Sequence, residues 1–501
     1  MIDMSLQELK SGTDIRGTAI GEKTNLTDDA IRRITVGFIE AVREKTGVDA
    51  ENMTVAVGHD SRLSAERIKK NVISVLSHYG VRVLDCSLAS TPAMFMTTVE
   101  LGCTASVQIT ASHHPWDKNG LKFFTKDGGF ESVDIQKVLD FAANADVSFS
   151  DDADKSEKID FMSRYSDILC SMICEGVKAE NYDKPLEGFH IVTDAGNGVG
   201  GFYAYNVLEK LGADITGSRF LEPDGKFPNH APNPENKEAM KSISDAVISS
   251  GADFGVIFDT DVDRAACVDE NGMEINRNSL VALASVIALE GNEGGTIVTD
   301  SVTSDGLKIF IEKNLSGRHH RFRRGYKNVI NEAIRLNNEG VNCPLAIETS
   351  GHAALRENYF LDDGAYLITK IIILLAKLRA QGRNIADIIK DLRQPAEEKE
   401  MRFAILTDDF RAYGNKVISD LESYAYSREG WTVADDNREG IRISLDKEHG
   451  DGWMLLRLSV HDPILPFNAE SDSVGGVAKI IGGFYEFIKN YEKLDLSAFS
   501  K

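Results

Sequence analysis

Several stretches of the chain gather chemically competent side chains just after an apolar run. At 259–264 the sequence reads DTDVDR, so that Asp259, Asp261 and Asp263 alternate along a turn that follows the apolar segment 254–258. Alternating carboxylates can converge on one hard divalent cation, and Mg2+ with positions open for phosphate oxygen is the usual partner of such a set. Without a cation the three would repel one another. A solvated acidic turn is the competing reading, and the apolar strand directly before the loop favours the metal. Arg264 follows, ready to meet an anion. At 110–115 the sequence reads TASHHP, with Asn119, Gly120, Leu121 and Lys122 close behind. Ser112, in a loop that leaves a strand, with His113 beside it and Lys122 near, fits a nucleophile whose charge is managed by its neighbours. A polar turn is the plainer alternative. The adjacent histidines make a poor metal pair, since consecutive side chains on an extended chain point apart.

Two further loops repeat the design. At 347–352 the chain reads IETSGH: Glu348 and Ser350 are groups that read sugar hydroxyls, and His352 can exchange a proton near neutral pH. A structural turn explains the segment equally well. At 457–463, RLSVHDP, Arg457, a nearby hydroxyl and loop amides would make a phosphate clamp, against the alternative of a surface arginine. Gly196, Gly198 and Gly201 satisfy GxGxxG after an apolar strand, with Glu222 as a possible ribose acid, but in a chain with 42 glycines the spacing is easily met by chance. A dinucleotide site would also leave the other loops without a role.

These loops need a scaffold that brings them to one place. Ile31, Ile34, Phe38 and Val42 recur at helical spacing, as do Ile68, Val72, Val75 and Leu76, while 54–58, 81–86 and 106–110 read as strands. Short apolar strands alternating with amphipathic helices predict parallel or mixed α/β sheets, whose ligands gather where loops leave the carboxyl ends of strands. The polar stretch 148–158 breaks the periodicity and sets a first boundary. The expected domains are 1–155, 156–276, 277–395 and 396–501. The last, with strands at 440–445 and 453–460 before a final helix, reads as a smaller α+β domain.

Composition narrows the partners. Lysine and arginine number 56 against 78 acidic residues, a net charge of −22, so nucleic acid or an anionic membrane as the main partner is not expected. An anionic ligand requires the cations to be gathered locally. The six cysteines include no CxxC pair, which suggests neither a zinc site nor a disulfide framework and points to a reducing cytoplasm. No basic segment followed by an apolar one opens the chain, and the longest apolar run, 371–376, lies between Lys370 and Lys377, as a buried helix would.

Taken in order, the loops resemble the α-D-phosphohexomutase superfamily, the phosphomannomutase and phosphoglucomutase group, over essentially the whole chain. The family's TASHNP-like phosphoserine loop is matched at 110–115, with His114 in place of Asn; its DGDGDR metal loop at 259–264; its GExSGH sugar loop at 347–352. DIRG at 14–17, GHDSRLS at 58–64, GYK at 325–327, and the segments 223–229 and 232–234 agree as lesser matches. The least faithful is the fourth loop, where His461 and Asp462 replace Thr and Glu of RxSxTEP while Arg457 and Ser459 remain.

The resemblance implies an α/β fold of four domains around a central cleft, three with mixed sheets flanked by helices and the smaller C-terminal α+β domain. It implies a mutase interconverting hexose 1-phosphate and hexose 6-phosphate, of mannose or glucose, through a phosphoserine at Ser112 and a hexose 1,6-bisphosphate that is both intermediate and activator. Mg2+ would sit among Asp259, Asp261, Asp263 and the phosphate on Ser112. Arg16, Lys122 and Arg264 would line the transfer path, and His352 or Lys122 would exchange the proton. His113, Lys327, Glu348, Ser350, Arg457 and Ser459 would bind substrate. A phosphoglucosamine mutase, an aspartyl phosphotransferase of haloacid dehalogenase type with Asp259 as nucleophile, and a non-catalytic sugar-phosphate sensor are the alternatives. A monomer or small homo-oligomer is expected.

Overall fold

Helical and strand periodicities in the sequence translate directly into layers. A computed structural model describes residues 4–149, 154–459 and 462–500, and these divide into two compact units: Met1–Leu280 with Ser350–Asp387, and Val281–Thr349 with Ile388–Lys501.

In the first unit a mixed sheet runs in the order Lys10–Ser11, Asp14–Thr18, Lys118–Thr125, Ala105–Ile109, Thr54–His59, Arg82–Leu88, Glu157–Lys158. Thr54–His59 lies parallel to both Arg82–Leu88 and Ala105–Ile109, so the three strands release their next loops at the same edge, where α/β sheets bind ligands. Helices Asp28–Thr46 and Ala65–His78 bury the stripes Ile31, Ile34, Phe38, Val42 and Ile68, Val72, Val75, Leu76 that the spacing predicts. Thr27 caps the first of these by accepting from the Ala30 amide at 3.2 Å, and Gly47 closes it at φ 72°, a pairing of caps in which the N-cap alone contributes about 1 kcal/mol. Phe38 stacks on Phe123 with ring centroids 4.7 Å apart and so ties this helix to the sheet. Glu157–Lys158 pairs with Leu84 and Asp85, which carries the first sheet past the boundary expected at 155.

A second sheet of the same unit has the order Glu274–Ile275, Ala265–Asp269, Phe254–Phe258, Ile191–Asp194. Every residue of Phe254–Phe258 is buried, and its exit is the acidic loop. The stretch 277–395, read as one region from the sequence, contributes to both units. The reason lies in helix Gly364–Arg379, which packs on Phe161–Val177. The Tyr165 hydroxyl donates to Asp363, the N-cap of that helix, at 2.7 Å, and Tyr203 Oη lies 2.9 Å from Thr369 Oγ1.

In the second unit Arg318–Arg321, Thr296–Thr299 and Leu345–Ile347 pair in parallel. The C-terminal part is an antiparallel sheet in the order Glu397–Ala404, Ile464–Ser471, Gly452–Leu456, Ile441–Leu445, Trp431–Val433. Its core joins Phe403, Met454, Leu456 and Phe467 to Val417 and Leu421 of helix Phe410–Tyr426 and to Ile480 and Phe484 of helix Gly476–Ile488, the α+β arrangement the sequence predicts. The strand expected at 453–460 ends at Leu456. Opposite Arg457 stands Pro466, which accepts from the Arg457 amide at 3.1 Å but has no N–H with which to continue the ladder. Arg457 and Ser459 are thereby left on a loop. Among the described residues no helix is long and apolar enough to cross a membrane.

Candidate active site

The serine loop is built around a buried guanidinium. Arg62, on the loop after Thr54–His59, has a fully buried side chain and donates to four backbone carbonyls: Ser112 at 2.5 Å, His114 at 2.6 Å, Pro115 at 2.7 Å and Lys118 at 2.9 Å. Its Nε lies 3.2 Å from Asp60 Oδ2, which also accepts from the Thr110 hydroxyl at 2.7 Å. Thr110 Oγ1 in turn accepts from the Ser112 amide at 2.9 Å. Ser112 is thus held at φ 51°, a left-handed conformation that a serine keeps only where its surroundings enforce it. Its Oγ donates to Asp259 Oδ2 at 3.2 Å and lies 3.2 Å from Nδ1 of the exposed His113 ring.

The acidic loop is equally constrained. Val262 sits at φ 66°, an outlier for a β-branched residue. The loop is pinned where the Val199 amide donates to the Thr260 carbonyl at 2.9 Å and the Gly364 amide to the Val262 carbonyl at 3.1 Å. This turn brings one oxygen each of Asp259, Asp261 and Asp263 within 4.8 Å of one another, all three residues buried. Lys122 Nζ donates to Asp263 Oδ2 at 2.5 Å and Asp261 Oδ2 at 3.1 Å, while Arg264 Nε donates to Asp259 Oδ2 at 3.2 Å. Arg264, itself buried, also donates to Asn233 at 3.2 Å. Oδ1 of Asp261 and Oδ1 of Asp263 are buried with no hydrogen-bond partner. Burial and the charges of Asp263 and Asp261 push Asp259 well above the usual carboxylate range. Burial would do the same to Asp263, but Lys122, His352 and Arg264 hold it below that range. Orphaned carboxylate oxygens in an all-oxygen cage, where burial and mutual repulsion raise the pKa of Asp259, fit a hard divalent cation.

His352 completes this side. Its Nδ1 makes a short hydrogen bond with Asp362, and its ring lies in a cluster with Asp263. Burial alone would lower its pKa; the charges of Asp362 and Asp263 prevail and raise it to about 9. Arg16, on the strand Asp14–Thr18, is paired with Asp14 at 2.7 Å and stands in register with Gly120. A Cβ at Gly120 would lie 2.2 Å from the Ile15 carbonyl, so the close approach of these strands requires glycine there. The first unit therefore brings together Ser112, His113, Lys122, Asp259, Asp261, Asp263, Arg264 and His352. Ser350, in the same unit, is buried with its hydroxyl unpartnered. The glycines of the apparent dinucleotide motif serve packing: a Cβ on Gly198 would lie 2.6 Å from the Thr260 carbonyl and one on Gly201 2.1 Å from that of Leu221.

In the second unit Glu348 is buried and accepts from the Gly325 amide at 2.5 Å, just before helix Tyr326–Asn338, whose first turn carries Lys327. Arg457 lies 3.9 Å from Glu439, whose other oxygen accepts from the Ser301 hydroxyl at 2.5 Å. Burial lowers the pKa of Arg457 against the pull of Glu439. The Ser459 hydroxyl accepts from the Asp462 amide at 3.3 Å. Val460 and His461 lie outside the described residues.

Three family models match the chain. Phosphoglucomutase/phosphomannomutase alpha/beta/alpha domain I matches residues 8–146, domain II residues 170–272 and domain III residues 276–396. A phosphoglucomutase/phosphomannomutase of Thermococcus kodakarensis is 30% identical over 431 residues, 84% of this chain and 87% of that protein. The chain belongs to the phosphoglucomutase/phosphomannomutase family. A phosphoglucomutase of Neisseria gonorrhoeae is 28% identical over 478 residues, 95% of this chain and 96% of the relative. The crystal structure of a family protein from Burkholderia thailandensis superposes with a TM-score of 0.78 at 25% identity, covering 98% of each chain. The domain I match contains Arg16, Ser112 and Lys122, and the domain II match contains the acidic loop. The resemblance read from the sequence picks out 58–64 without giving Asp60 and Arg62 a task. Arg62 serves backbone carbonyls some 50 residues away and Asp60 the Thr110 hydroxyl, also 50 residues away, pairings that side-chain types do not announce. Asp362, the partner of His352, is missed for a similar reason: it reads as an ordinary acid before a helix.

Proposed function

We propose that this chain interconverts the 1- and 6-phosphates of glucose and mannose, with Ser112 carrying the phosphoryl group and a hexose 1,6-bisphosphate as intermediate and activator. The observation that carries this reading is the 3.2 Å approach of Ser112 Oγ to Asp259 Oδ2 at the rim of a buried three-carboxylate cage. The phosphomannomutase and phosphoglucomutase names of the relatives support the substrate class.

Transfer breaks the bond between Ser112 Oγ and phosphorus and forms one between phosphorus and a sugar oxygen. The proton leaving the sugar hydroxyl is balanced by one returned to Oγ. Asp259, Asp261 and Asp263, with the phosphate on Ser112, would hold Mg2+, which would offset charge on the transferring group. The chain's own contribution is position and electrostatics. Arg62 fixes the serine loop, Lys122 and Arg264 add positive charge at the cage, and Arg16 stands on the strand paired with the one that carries Lys122. His352, protonated at neutral pH through Asp362 and Asp263, exchanges the proton in this reading, while Lys122 Nζ is committed to two aspartates. His113, whose Nδ1 lies 3.2 Å from Ser112 Oγ, would bind substrate beside the nucleophile. Glu348, Ser350 and Lys327 would read the sugar, and Arg457 and Ser459 would grip the phosphate that is not being transferred. The six cysteines are free and buried, in keeping with a cytoplasmic enzyme of carbohydrate metabolism.

Ser112→Ala should leave the fold intact and abolish conversion of glucose 1-phosphate and mannose 1-phosphate; undiminished turnover contradicts the assignment. Comparing kcat/KM for glucose, mannose and glucosamine 1-phosphates tests the sugar, with the first two preferred by an amount that pocket contacts of this kind supply, ~1 to 3 kcal/mol.

A further inference from the structure

The two orphaned oxygens of the cage have a counterpart on the other side of each carboxylate. On Asp261 the second oxygen, Oδ2, takes both the Lys122 ammonium at 3.1 Å and, in a short hydrogen bond, the hydroxyl of Thr91. Thr91 also donates its backbone amide to the Asp261 carbonyl at 2.9 Å. It is the first residue of helix Thr91–Glu100, which Ser90 caps by accepting from the Ala93 amide at 3.3 Å. A first-turn amide has no partner within its own helix, so here that donor is directed at the acidic loop. Thr91 is 4% exposed and Asp261 fully buried, so this contact is shielded from bulk solvent. One residue therefore fixes Asp261 at its backbone and at its side chain, and leaves Oδ1 of that carboxylate without a hydrogen-bond partner.

We infer that Thr91 is a positioning residue for the divalent cation: by occupying Oδ2 it presents Oδ1 of Asp261 as a ligand and so sets the affinity of the cage. The inference rests on the reading of Asp259, Asp261 and Asp263 as cation ligands. A hydrogen-bond partner behind a metal ligand governs the orientation of that ligand, and its loss weakens metal binding by about 10- to 100-fold. Were the contact only a way of docking helix Thr91–Glu100 on the loop, removing the hydroxyl would lower thermal stability and leave cation affinity alone.

The test is Mn2+ titration of the chelator-treated full-length protein, followed by the electron paramagnetic resonance signal of the free ion. Thr91→Val, close in shape and lacking the hydroxyl, should bind Mn2+ about 10- to 100-fold more weakly than the wild type. Thr91→Ser should bind as the wild type does. A folded Thr91→Val protein with wild-type affinity overturns the inference, as does a Thr91→Ser protein weakened as much as the valine variant. If valine prevents folding, Thr91→Ala gives the same reading without the extra methyl groups. A wild-type protein that binds no Mn2+ at all would overturn the cation site itself, an outcome distinct from a wild type and a variant that bind equally.

Discussion

Asp259 meets the demands of two loops at once: it accepts from Ser112 and from Arg264 on the same oxygen. That geometry depends on Arg62, whose flat five-donor head satisfies carbonyls at Ser112, His114, Pro115 and Lys118. Lysine keeps the charge but offers a single nitrogen in place of the fork. Arg62→Lys should therefore lower kcat by roughly 100-fold, the cost of a serine misplaced by about 1 Å, with KM for hexose 1-phosphate little changed. Steady-state kinetics checks this, and an unchanged kcat contradicts the role. At this scale the sequence is legible where chemistry is contiguous. Ser112, Lys122 and the three aspartates stand out by type and spacing, and the structure brings them together. Arg62 and Thr91 do not, since what they do is defined by partners 50 and 170 residues distant.

Strands and helices were legible wherever one face is apolar, as in Phe254–Phe258 and the stripes of Asp28–Thr46. What periodicity could not reveal is tertiary assignment: helix Gly364–Arg379 belongs with Phe161–Val177 through Tyr165 and Asp363. The start of that helix touches the acidic loop, and a Cβ on Gly364 would lie 2.7 Å from the Arg264 carbonyl carbon and 3.1 Å from the Ala265 amide nitrogen. Because the neighbours are backbone, Gly364→Ala should destabilise the first unit by about 1 to 3 kcal/mol and weaken Mn2+ binding, seen by calorimetry and metal titration. Wild-type behaviour in both would show that the loop yields freely. In the C-terminal sheet, burial raises Glu470 to about 7 against the opposing charge of Arg442 and the Trp453 indole, which donates to it at 2.9 Å. An unfolded glutamate titrates near 4.5, so between that value and about 7 the folded state holds a proton the unfolded state has released. Stability must then fall as pH rises through this window. Glu470→Gln cannot ionise and keeps an acceptor for the indole, so relative to the wild type it should gain roughly 2 to 4 kcal/mol by pH 8. Melting temperatures of both proteins from pH 4.5 to 8 check the sign, and parallel curves contradict it.

For the molecule as a whole the net charge of −22 makes local charge management the central problem. An acidic chain that handles phosphorylated sugars must gather its cations, and in the proposed reading Lys122, Arg264 and Arg16 would do so in the first unit and Arg457 in the second. The family could be read from four ordered loops, because each is a short segment at the exit of a strand. The division into compact units could not, because it is decided by helix packing between distant segments. A cage that binds a cation only when folded should link ion and stability: Mg2+ at 100 times its dissociation constant should add about 2.7 kcal/mol. Chelation should lower the melting temperature and abolish turnover, and Mg2+ should restore both; a melting temperature indifferent to Mg2+ contradicts the cage. The central claim, that a serine hydroxyl carries the phosphoryl group beside three acids, is tested most directly by incubating the protein with glucose 1,6-bisphosphate labelled in its phosphates and mapping the labelled peptide. The account predicts label on Ser112 that survives hydroxylamine and is absent from Ser112→Ala; hydroxylamine-labile label on Asp259, or turnover without any labelled serine, would contradict it.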